Sequence, residues 1–133
     1  MSAIKKLTKL ENGNYQILVE LDLGSYTSSQ WKKAIDYVNE TLQSGDIMLC
    51  ELSPNPLYQF TEKIDIENVS HEIVKCYEGV GSVFVELETI QTPKGQTLCN
   101  FIETVPEKLK FNWVGCSENT EVATLIQVYA EIT

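Results

Sequence analysis

Apolar and polar positions alternate clearly along several stretches of the chain. Ile17, Val19, Leu21 and Leu23 alternate with Gln16, Glu20 and Asp22, which predicts a half-buried strand over residues 15–23. Leu18 breaks the polar phase, so cover on both faces is expected at the strand centre. Asn12-Gly13 separates this strand from an apolar run at residues 4–10 and signals a hairpin. Two further alternating runs, 67–77 and 82–91, join through Glu78-Gly79-Val80-Gly81 and predict a second hairpin. Leu109, Phe111 and Trp113 alternate up to Gly115. In the last run Val122, Thr124, Ile126, Val128, Ala130 and Ile132 form one face. Ala123, Leu125 and Tyr129 make the other face largely apolar as well, which places this strand centrally.

The helical period appears once with force. Trp31, Ala34, Ile35, Val38 and Leu42 recur at spacings of three and four, with Lys32, Lys33, Asp36, Asn39 and Glu40 opposite. Ser28 or Ser29 is the expected N-cap, and Ser44-Gly45 the stop. Residues 46–52 (DIMLCEL) predict a buried strand, and Ser53-Pro54-Asn55-Pro56 forces a loop after it. Thr92-Pro93-Lys94-Gly95 opens a second, shorter helix that ends near Pro106, with Leu98, Phe101 and Ile102 on one face. The order β-β-α-β-β-β-α-β-β, with short turns between strands, predicts an α+β fold. It is mostly an antiparallel curled sheet or small β-barrel with two helices, built as a single domain over residues 1–133.

Composition adds limits on function. Ten Lys and Arg against nineteen Asp and Glu give a formal charge of −9, which argues against nucleic acid or an anionic membrane as partner. The densest basic group, Lys5, Lys6 and Lys9, is short. No apolar run approaches the roughly 20 residues of a membrane span, and no apolar stretch follows the N-terminal lysines as in a secretory signal. Cys50, Cys76, Cys99 and Cys116 are dispersed, without a CxxC pair, and are expected to be reduced and mostly buried rather than disulfide-bonded or zinc-bound. No metal or cofactor is expected.

Candidate chemistry centres on His71, the single histidine. A histidine acts as a base only with a nucleophile in hydrogen-bond reach. Ser70, next to it in a predicted strand, is expected on the opposite face. Cys116 and Ser117, in a turn after Gly115, are the remaining nucleophile candidates. A phosphate-cradling loop, a nucleophile elbow and a zincin motif are all absent from the sequence. Glu86 and Glu88 read as a solvated stripe, and Trp31 and Trp113 as core or interface anchors.

From Glu51 onward the layout resembles the tailed-phage prohead (capsid maturation) proteases. The segments concerned are Glu51-Leu52-Ser53-Pro54 and Ile64-Asp65-Ile66-Glu67-Asn68-Val69-Ser70-His71, followed by a hairpin over residues 83–89. Thr92-Pro93-Lys94-Gly95-Gln96-Thr97-Leu98 comes next, then residues 109–115 and a closing strand ending Tyr129-Ala130-Glu131-Ile132. The resemblance implies that His71 matches the catalytic histidine and that the nucleophile falls within residues 111–115. There Asn112 and Trp113 stand where a Ser is expected, and Val114 replaces a basic residue.

The resemblance thus implies an inactive relative: a structural or binding protein of a phage virion or its assembly intermediate. Its partner would be a capsid, scaffold or host protein, its place the virion or the bacterial cytoplasm, and oligomers are allowed. One alternative is an active Ser or Cys endopeptidase using His71 with Cys116 or Ser117. Another is a small acidic inhibitor of a host or phage enzyme.

Overall fold

The computed structural model describes residues 3–133. It is an α+β fold of seven strands and two helices. Strands β1 (Ala3–Lys9), β2 (Tyr15–Leu21), β3 (Met48–Glu51), β4 (Val69–Gly79) and β5 (Ser82–Thr89) form an antiparallel sheet in the order β1-β2-β5-β4-β3. Strands β6 (Leu109–Glu118) and β7 (Glu121–Ile132) form a separate antiparallel pair. Helix α1 (Lys32–Gln43) packs on β4 and β7, and α2 (Pro93–Thr104) on β4 and β5.

The barrel alternative is corrected: the strands do not close. β7 makes one isolated parallel bridge just past the end of β3, Ala130 with Leu52, and β6 lies beside β1 and β2 without pairing. Ile17, Val19, Val83, Val85, Leu87, Ile73, Leu125, Val128 and Trp31 are fully buried, so the space between the sheets and α1 is a filled core.

Local chemistry explains most boundaries. Gly13 turns the first hairpin at φ 88°, with Leu10 N–H donating to Asn14 O at 2.8 Å. The expected Ser28 or Ser29 cap is replaced. Thr27 N–H donates to Gln30 Oε1 at 2.7 Å and Gln30 N–H to Thr27 Oγ1 at 3.3 Å, a reciprocal capping box, and α1 begins after a further turn at Trp31. The Thr92 hydroxyl accepts from Gly95 N–H at 2.9 Å, with Pro93 at the first helical position, so α2 starts where the sequence indicates. Leu18 lies beside Lys6 and Glu86 on the outer face and is half-buried, the partial cover its break in the pattern implied.

Alternation fails where strands bulge. In β7 the pairing skips Ile126 and then Ala123, so the buried positions run Val128, Leu125, Val122 rather than keeping one parity. β4 bulges at Val74 on its β5 side, which makes Ile73 and Cys76 the buried residues there.

Candidate functional site

The buried polar groups gather where β3, β4 and β7 meet. Between β3 and β4, Cys50 pairs with His71 but Glu51 pairs with Val69, so Ser70 is the extra residue of a bulge in β4. A bulge places two successive side chains on nearly the same side of a strand. Ser70 and His71 therefore share a face, which corrects the expectation that alternation separates them. Ser70 Oγ lies 2.6 Å from His71 Nδ1, and His71 Nε2 lies 2.6 Å from Val128 O. A carbonyl oxygen only accepts, so Nε2 carries the proton and Nδ1 accepts from the Ser70 hydroxyl.

Both side chains are 0% exposed, and the Phe111 ring stands edge-on to the imidazole at 5.6 Å. Burial pulls the His71 pKa down to about 4, against which the Val128 contact works only partly. At neutral pH the ring is uncharged and both nitrogens are engaged.

The same seam holds a second set of polar residues that sequence reasoning passed over. Glu51 N–H donates to Gln127 Oε1 at 2.8 Å, and Gln127 Nε2 donates back to Glu51 Oε2 at 2.8 Å. Tyr58 OH donates to Glu51 Oε1 at 2.8 Å. Val128 N–H donates to Cys50 Sγ at 3.5 Å. Thus β3 and β7 run side by side, yet much of their ladder is made by side chains. Beyond this stretch Ser53 N–H donates to Ala130 O at 2.8 Å, an ordinary backbone bond. Glu51 beside it, with some burial, holds the Tyr58 phenol above its usual range, and burial pushes the Cys50 thiol up to about 12. The available signal was a Glu in DIMLCEL and a Gln in TLIQV, each a polar residue inside an apolar run.

The nucleophile candidates lie elsewhere. The Cys116 thiol, half-buried, donates to Glu62 Oε1 at 3.2 Å, and Ser117 is exposed opposite Val122. Neither is a hydrogen-bond partner of His71, whose two nitrogens are taken by Ser70 and Val128. On β6, Phe111 faces inward to His71 while Asn112 is exposed on the other face. Trp113 turns toward the opposite end of the sheet, where its Nε1 donates to Asp22 O at 2.7 Å.

The arrangement brings one hydroxyl to one imidazole, and both are shut off from solvent. A groove of about 510 Å3 runs between the β1–β2 turn, the β5–α2 connection and the first turns of α2. It is lined by Asn14, Thr92 and the buried Cys99, and neither Ser70 nor His71 opens into it. Cys50, Cys76, Cys99 and Cys116 are all free thiols, and three of them are buried. Among the described residues, no group of three or more His, Cys, Asp or Glu is placed to hold a metal ion. No helix there is long and apolar enough to cross a membrane. Comparison with protein-family models, with curated proteins and with solved structures finds no match.

Proposed function

We propose that this chain is a non-catalytic protein-binding or structural module, acting as a component of a phage virion or its assembly intermediate. One observation carries the non-catalytic part: the only imidazole is sealed in the seam, with a hydroxyl on one nitrogen and a backbone carbonyl on the other. A general base must reach the proton of a group that attacks substrate. Here the group it reaches is itself fully buried. The viral setting rests on the resemblance of residues 51–132 to prohead proteases, whereas Asn112 and Trp113 in the place of a nucleophile support only the non-catalytic part.

The test is co-expression with a scaffold and capsid set, followed by sedimentation of procapsids and gel analysis of the scaffold. Co-sedimentation of the chain with uncleaved scaffold is expected. Recovery of the chain only as a free monomer removes the structural role. The Ser70–His71 hydrogen bond favours one competing reading, a serine endopeptidase. Scaffold cleavage that disappears in Ser70→Ala and His71→Gln would establish that reading in place of ours.

A further inference from the structure

In β3 Met48 and Cys50 are buried, while Leu49 is half-buried and Ile47, just before the strand, is exposed. A strand apolar on both sides ordinarily has cover on both. Here the second side opens on a groove of about 430 Å3, where Ile47 meets Tyr37 of α1, Ile64 and Ile126. Ile126 belongs there because it is a skipped residue of β7. Ile64 also lines the neighbouring groove of about 490 Å3, which ends at Ile66. The two grooves therefore lie side by side, with Ile64 as their common wall. Ile66 is 71% exposed, Ile47 65% and Tyr37 42%, three of the molecule's few large apolar side chains left in water. Scattered exposed apolar residues are ordinary, but a contiguous strip marks an interaction surface.

The border of the strip is acidic. Asp46 and Glu62 line its first groove and Asp65 its second, against Lys63 alone. Asp36 and Glu40 are exposed on α1 beside Tyr37; of the two α1 lysines, Lys33 is paired with Glu118 at 3.0 Å and Lys32 is exposed at the start of the helix. A second copy of this chain, with net charge −9 and the same acidic border, would be repelled.

We propose that the strip from Tyr37 through Ile47 and Ile64 to Ile66 docks a protein segment whose aliphatic side chains are flanked by Lys or Arg. The apolar groups supply the buried contact and the acidic border selects the sign of the partner's charge. This deepens the reading of the chain as a protein-binding module and rests on it.

The experiment selects a displayed random dodecamer library on the full chain, and measures the enriched peptides by fluorescence anisotropy against wild type, Ile47→Asp and Glu62→Lys. Enriched peptides are expected to combine Leu, Ile or Val with Lys or Arg. Their affinity should fall at least about tenfold on Ile47→Asp, as at a central contact, and fall as salt is raised. On Glu62→Lys the preference for basic peptides should weaken. Both sites are on the surface, and circular dichroism of each variant checks that it is folded. Failure to enrich any peptide, acidic or neutral winners, or affinities unchanged by both substitutions overturns the assignment. Sedimentation as a dimer that Ile47→Asp disperses replaces the partner with a second copy. Procapsid association that survives Ile47→Asp would leave the binding-module reading standing and remove this surface from it.

Discussion

The two sheets meet along two edges, and the edges are built from opposite chemistries. Between β3 and β7 the contact is polar and buried: Glu51, Gln127, His71, Ser70 and Cys50 exchange hydrogen bonds with one another and with the β7 backbone. Between β2 and β6 the contact is aromatic. Trp31 and Trp113 meet edge to face at 4.7 Å, and their indole N–H groups donate to Leu23 O and Asp22 O at 3.3 and 2.7 Å. Apolar burial is non-directional, so the tryptophan edge adds stability while tolerating small shifts. Aimed donors and acceptors accept one register, since a slip leaves each of them buried and unpaired. The polar edge fixes where the hairpin sits, and the aromatic edge holds it down.

That contrast can be broken in four ways. Trp31→Ala should cost most, about 4–5 kcal/mol in urea unfolding, because a fully buried indole at the junction of α1, β2 and β6 leaves a cavity. A loss below about 1 kcal/mol would deny the aromatic edge its role.

Gln127→Leu keeps the volume but strips Glu51 of a donor to its carboxyl and of the acceptor for its N–H, and should cost about 3–4 kcal/mol. If unfolding shows the variant equal to or more stable than wild type, the polar edge is not specifying register through these bonds.

Of the two edges, acid should act on the polar one. The ordinary imidazole value is 6.5 and His71 sits near 4 in the fold, so the unfolded chain takes up the proton first. Its contribution is therefore fully present above about pH 6.5 and is lost as pH falls toward 4, about 3 kcal/mol in all. The difference in stability between wild type and His71→Phe, followed by urea titration from pH 7 to 4, isolates this from the carboxylates. A difference flat with pH would show that the ring is not held neutral.

Trp113→Phe should be mildest, about 1 kcal/mol, losing one hydrogen bond to Asp22 O at a half-buried site while keeping the ring contact.

Element identity was largely legible because period and punctuation agree. Asn12-Gly13, Thr92-Pro93 and the three-and-four spacing of Trp31, Ala34, Ile35 and Val38 each act within a few residues, and the structure follows them. What escaped depends on pairing partners distant in sequence. The bulges at Ser70, Ile126 and Ala123 exist only relative to an opposite strand, and they undid the face assignments for Ser70 and for the last strand. The α1 cap was misplaced because Thr27 and Gln30 form a box that brackets the two serines, one turn ahead of α1. Of the candidate site, sequence singled out His71 but not what surrounds it. Glu51 and Gln127 lie 76 positions apart, and nothing local in either segment signals that they bind each other. Closure of the sheet likewise turns on whether β6 pairs with β1, a long-range outcome that strand count alone leaves open.

That separation has a consequence for synthesis. The chain leaves the ribosome N-terminus first, and β1 to β5 are complete roughly 40 residues before Gln127 and Val128 exist to meet them. During that interval the five-stranded sheet must carry Glu51 and His71 without their β7 partners, with water in place of β7. A nascent chain or a fragment ending before Gln127 therefore presents an open polar groove where the finished protein has a closed seam, and it is that unfinished edge which proteases and chaperones would meet.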